Sequence, residues 1–140
     1  MMKRKIYNEM LLWKQNAQGK SALMIDGARR IGKSYIVEEF AKNEYKSYIL
    51  VDFNNADDNL IEIFDKYLRN LDVFFSYLAL YYNVTLYPRD TVIVFDEVQL
   101  YPKARAAIKY LVKDGRYDYI ETGSLVSINR NVKDIVIPSE

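Results

Sequence analysis

Ser21-Ala-Leu-Met-Ile-Asp-Gly-Ala-Arg-Arg-Ile-Gly-Lys-Ser34 is the stretch on which the reading of this chain turns. It begins as an apolar run of strand length, Ala22 to Ile25. It continues into the spacing G-x-x-x-x-G-K-[ST] at Gly27, Gly32, Lys33 and Ser34. The two glycines permit backbone angles that a Cβ would penalise, so the loop's N–H groups can turn inward around a phosphate. The helix expected next, with Ile36, Val37, Phe40 and Ala41 at helical spacing, brings its positive N-terminal end to the same place. Lys33 would set a compact positive charge on the β- and γ-phosphates. Ser34 would offer a hydroxyl to Mg²⁺, a hard ion that prefers oxygen. The expected cradle is Gly27, Ala28, Arg29, Arg30, Ile31, Gly32, Lys33, Ser34 and Tyr35, with Arg29 and Arg30 reading as solvated side chains in its variable part. The competing reading is a glycine-bearing surface turn with a solvated lysine.

Working outward, strands alternate with helices. Residues 3–16 read as a helix with Ile6, Met10, Leu11 and Trp13 partly sharing a face, and 16–19 as a turn. A second strand covers 46–53. Residues 59–83 are helical in pattern, as two helices that break near Asn70, with Asp72 as N-cap of the second. Segment 73–82 of that second helix is apolar on most sides. It reads as core, with a half-exposed partner surface as the sharper alternative. Thr91-Val-Ile-Val-Phe95 is continuously apolar and β-branched, as a strand buried on both faces of a parallel sheet should be. A helix over 103–113 puts Ala104, Ala107, Ile108, Leu111 and Val112 inward and ends at Gly115. A fourth strand covers 117–122, and Ile135-Val-Ile137 reads as a short fifth. This alternation predicts an α/β, doubly wound, mostly parallel sheet between helices in one domain over 1–140. Ligands of such sheets bind beyond the carboxyl ends of the strands, which places the loop, Asp96 and Thr122 together.

Val92-Ile-Val-Phe-Asp96-Glu97 is four apolar residues followed by two acids, the pattern of a Walker B strand. Burying that pair is costly unless a cation or hydrogen bonds offset it. Asp96 would hold Mg²⁺ and Glu97 would polarise an attacking water. A solvated acidic loop is the bland alternative. Thr122, in Glu121-Thr-Gly-Ser124, ends its strand where a polar side chain can contact the γ-phosphate or the water. Otherwise it is an ordinary turn residue.

Composition prunes the alternatives. The 140 residues carry no cysteine and no histidine. That excludes a disulfide framework, a thiolate or imidazole metal site and a Ser-His-Asp triad, and leaves proton transfer to carboxylates, Lys, Tyr or water. The net charge of +1, with no long basic run, gives no support for strong nucleic-acid binding. The 13 tyrosines read as amphipathic packing residues rather than a binding code. The basic start, Met1-Met-Lys-Arg-Lys5, lacks the apolar segment of a signal peptide, and no stretch reaches membrane-spanning length. A cytoplasmic location with no membrane partner is expected.

The segments 27–34, 92–99 and Tyr-Ile-Glu-Thr-Gly-Ser (119–124) together resemble prokaryotic AAA-family ATPases, in which an N-terminal P-loop ATPase domain precedes a C-terminal domain of poorly defined function. The resemblance covers nearly the whole chain. It implies a P-loop NTPase three-layer αβα sandwich with strand order (5)-1-4-3-2, ATP binding and Mg²⁺ dependence. It carries Lys33 and Ser34 to phosphate and metal, Asp96 to Mg²⁺, Glu97 to water activation and Thr122 to the sensor position. Two departures follow from it. Members are longer, so this chain reads as truncated, with the fifth strand missing or reduced to 135–137 and the edge of the phosphate-loop strand left open to pairing or aggregation. No residue is a clear arginine finger, with Arg130 the nearest, so turnover in isolation is expected to be weak. The functional expectation is Mg²⁺-dependent ATP hydrolysis. Its rival is a nucleotide-binding switch or interaction module, through self-association or a protein partner, without appreciable turnover. DNA-associated work by a longer parent protein is a third, weaker reading.

Overall fold

The computed structural model of the chain describes residues 2–27, 33–123 and 133–137. Ala28, Arg29, Arg30, Ile31, Gly32 and Arg130, all singled out above, lie outside the described residues.

The strands are β1 (Leu23–Gly27), β2 (Ser47–Asp52), β3 (Thr91–Asp96), β4 (Asp118–Gly123) and β5 (Lys133–Ile137). The helices are α1 (Met2–Ala17), α2 (Lys33–Glu44), α3 (Asp58–Tyr67), α4 (Leu71–Tyr82) and α5 (Pro102–Asp114). All pairings are parallel, in the order β2-β3-β4-β1-β5. Read from the other edge this is the expected 5-1-4-3-2.

Each element has a local cause. Asp57 caps α3 by accepting the Leu60 N–H at 2.9 Å. α5 starts on Pro102, whose missing N–H costs nothing there, and ends on Gly115 at φ 82°, a left-handed conformation natural to glycine. β3 is buried along its whole length, as its unbroken β-branched run requires.

The alternation of strand side chains separates two apolar layers. Leu23, Ile25, Val92, Val94 and Ile120 face Ile6, Met10 and Trp13 of α1 and Ile36, Val37 and Phe40 of α2. Met24, Ile49, Val51, Ile93, Phe95 and Tyr119 face Leu60, Ile63 and Phe64 of α3, Phe74, Phe75 and Leu78 of α4, and Ala104, Ile108 and Leu111 of α5. The result is helix, sheet, helix, with the strands' carboxyl ends along one rim.

Three expectations are corrected. The fifth strand is neither missing nor confined to 135–137: Lys133–Ile137 pairs with β1 along all of Leu23–Gly27, so β1 has a neighbour on both sides. Among the described residues the outer strands of the sheet are β2 and β5. The N-cap of α4 is Asn70, whose side chain accepts the Val73 N–H, with the helix already under way at Asp72. Val112 packs only partly against the core. α4 divides its apolar surface, with Phe74, Phe75 and Leu78 buried while Tyr77, Leu80 and Tyr81 are exposed.

Candidate functional site

The rim brings together Lys33 and Ser34 at the start of α2, Asp96 at the end of β3, Glu97 just beyond it, and Thr122 near the end of β4. β4 lies between β1 and β3, which sets Thr122 between the loop strand and the acidic pair. Gly27 ends β1, where the loop begins. Tyr35 is exposed on the first turn of α2.

Ser34 Oγ donates to both carboxylate oxygens of Asp96, at 3.0 and 3.1 Å. Thr122 Oγ1 donates to Asp96 Oδ1 at 2.5 Å and accepts the Glu97 backbone N–H at 2.9 Å. Asp96 is thus buried but held by two hydroxyls. Burial pushes its carboxyl above the ordinary value, partly offset by the bonds from Thr122 and Ser34. Lys33 is fully buried. Its ammonium lies 3.3 Å from Glu97 Oε2 and donates to the Gly123 carbonyl at 3.1 Å. A buried ammonium needs such partners, because its desolvation alone would be prohibitive.

Glu97 has φ 57° and ψ 48°, in the left-handed region that side chains other than Gly and Asn seldom adopt. The Thr122 hydroxyl on its N–H helps to over-determine that conformation. The chain then makes one 3₁₀ turn, Val98–Leu100, and curls Gln99 back, so that its Nε2 donates to Glu97 Oε1 at 2.9 Å. Sequence reasoning assigned no role to Gln99, nor to the Gly123 carbonyl. A glutamine two residues after an acid does not announce a contact with it, because i and i+2 do not face each other on a regular helix.

Beneath the rim, on the opposite face of β4, Glu121 is fully buried with Arg105 Nε of α5 at 3.1 Å from its Oε1. Burial dominates there and raises the Glu121 carboxyl to about 7, with Arg105 opposing.

The donor chemistry suits Mg²⁺. One carboxylate and one hydroxyl, both hard oxygen donors, already touch, and Mg²⁺ commonly takes only one or two protein ligands beside phosphate oxygens and water. Among the described residues no cluster of three or more His, Cys, Asp or Glu exists that would form an all-protein metal cage. No helix among them is long and apolar enough to cross a membrane.

A family model described as an AAA domain matches residues 19–134. The chain belongs to that AAA-domain family. It is an AAA-family P-loop ATPase domain, a nucleotide-binding type. Among solved structures the AAA domain is similar to the structure of C. elegans PCH-2, at 14% identity and a TM-score of 0.57. The match covers 97% of this chain and 41% of that one, so this domain spans well under half the length of the PCH-2 chain. At that identity the likeness speaks for the fold. Comparison with curated proteins returns no match.

Proposed function

We propose that this domain binds ATP with Mg²⁺ and hydrolyses it slowly. The observation that carries the reading is the Ser34–Asp96 contact. It joins the hydroxyl of the phosphate-loop motif to the carboxylate ending the buried strand, at 3.0 Å across 62 residues of sequence. In this reading Gly27 to Gly32 and Tyr35 surround the phosphates, and Lys33 exchanges Glu97 and the Gly123 carbonyl for phosphate oxygens. Ser34 and Asp96 would hold the Mg²⁺, which supplies positive charge against the charge developing on the phosphates. Thr122 fixes Asp96 and Glu97, and is the candidate sensor of the γ-phosphate. Glu97, released by Lys33, accepts a proton from the attacking water as that water bonds to the γ-phosphorus and the bridging oxygen leaves with ADP.

ATP calorimetry with and without Mg²⁺, followed by phosphate release on the same sample, tests it. Lys33→Ala should abolish binding, and Glu97→Gln should keep binding and stop turnover. Unchanged hydrolysis in both variants would defeat the proposal.

A second reading, a nucleotide-driven interaction module, draws on the exposed Tyr77, Leu80 and Tyr81 of α4. Together with Ile63 and Tyr67 they line an open groove of about 250 Å³ between α3 and α4. ATP-dependent association in sizing experiments without phosphate release would favour it.

A further inference from the structure

Gln99 stands apart from every role given above, yet it makes a specific contact in the site. Its amide nitrogen is 2.9 Å from Glu97 Oε1, while Lys33 occupies Oε2. The two carboxylate oxygens therefore have different partners. Lys33 begins α2, next to the loop that phosphate would claim, whereas Gln99 lies in the short turn that Glu97 opens. Its own carbonyl oxygen, Oε1, is buried and accepts no hydrogen bond among the described residues. A buried acceptor without a donor is uncommon and asks for a reason.

The geometry points to Gln99 as the positioning residue for Glu97. Its amide N–H pins one carboxylate oxygen so that the other faces the attacking water, and its unpaired carbonyl receives that water's second hydrogen. The inference rests on the hydrolytic reading above. Three features carry it. The left-handed Glu97 and the short 3₁₀ turn are what make an i, i+2 contact possible, so the backbone conformation and the Gln99 contact come together. The donor must be a nitrogen, because an ionised carboxylate only accepts. The spare acceptor sits on the same amide group, beside the carboxylate that would take the water's proton. When phosphate draws Lys33 away, Glu97 keeps the Gln99 amide as a partner. A carboxylate left to rotate freely would present either oxygen, at varied angles, to the water.

Gln99→Met tests this, since methionine keeps the length and flexibility of the side chain and loses both the donor and the acceptor. Wild type, Gln99→Met and Lys33→Ala are compared for ATP affinity by calorimetry and for kcat and KM by phosphate release. Gln99→Met is expected to bind ATP within about twofold of wild type while kcat falls roughly 10–100-fold, the scale of a slightly misplaced catalytic group. A purely structural role would instead lower the melting temperature and affect affinity and kcat together. A kcat within twofold of wild type would overturn the inference and leave the hydrolytic reading standing. Wild-type binding that is absent, or unaffected by Lys33→Ala, would sink the hydrolytic reading itself. Should wild type bind without measurable turnover, ¹⁵N spectra of its complex with a non-hydrolysable ATP analogue decide. The Gln99 side-chain amide signal, identified by its loss in Gln99→Met, should keep a carboxylate-bonded shift that Glu97→Ala abolishes. A signal indifferent to Glu97→Ala would overturn the inference.

Discussion

Replacing Glu121 by glutamine should remove most of one pH-dependent loss of stability. Glu121 is fully buried: its cross-strand neighbours are Met24 on β1 and Phe95 on β3, and its ionic partner is Arg105. Its carboxyl is raised from 4.5 to about 7, first by burial, against the opposing pull of Arg105. The folded protein therefore holds a proton on Glu121 over a range where the unfolded chain has released it. Over that range stability falls as pH rises. At about 1.4 kcal/mol per pH unit the full displacement is worth roughly 3 kcal/mol, nearly all of it lost between about pH 4.5 and 7. Glutamine is close in shape and cannot ionise. Urea unfolding of wild type and Glu121→Gln at intervals from pH 5 to 8 measures the difference. Contributions from Asp96 and other carboxylates are common to both proteins and cancel. Wild type should lose about 2–3 kcal/mol relative to the variant across that range. Part of the variant's advantage at pH 8 will be offset by the lost Arg105 ion pair, so the slope rather than the absolute stability is the test. Parallel pH profiles would mean that Glu121 remains ionised throughout and that Arg105 outweighs burial, contrary to the reasoning.

Thr122→Val removes the acceptor for the buried Glu97 N–H and one donor to Asp96. It should cost about 1–3 kcal/mol in denaturant unfolding and reduce phosphate release more than ATP affinity; an unchanged unfolding midpoint would show that neither bond matters. Tyr45→Phe acts at the far end of the sheet, where Tyr45 donates to Asp118 at 2.6 Å beside Arg89 at 2.5 Å. Loss of that donor to a buried carboxylate should cost about 1.5–3 kcal/mol, read from the urea midpoint at constant slope, with nucleotide affinity unaffected.

Much of this fold is legible because burial leaves a plain trace in sequence. Thr91–Phe95 has no polar residue after its first position, which only a central strand tolerates, and Asp96 marks where it reaches the rim. The strand order follows from the resemblance and agrees with the pairing observed. The start of the fifth strand is less legible because Lys133 and Asp134 interrupt its apolar pattern. A strand at the edge of a sheet can carry charge that a central one cannot. Asn70 and Asp72 are both good caps by residue type, and only the backbone conformation at Asn70 chooses between them. Within the site, spacing and strand ends bring forward Lys33, Ser34, Asp96, Glu97 and Thr122 as a group. Which of these bond to one another depends on the left-handed turn at Glu97. A glutamate gives no sign of that turn, as a glycine might have done.

The position of β1 has a consequence for how the chain acquires its shape. Leu23 pairs with Ile120 on one side and Lys133 on the other, so both neighbours of the loop strand arrive about a hundred residues after it. Helices α3 and α4 and the β2–β3 pair can gather from segments closer in sequence. The nucleotide strand cannot, and closing such long loops slows folding. An apolar strand made early waits for partners made late, so the pairing of β1 should be among the last parts of the domain to form. Nucleotide would then find a site only on chains synthesised through β5, and could draw the final closure forward by holding it shut.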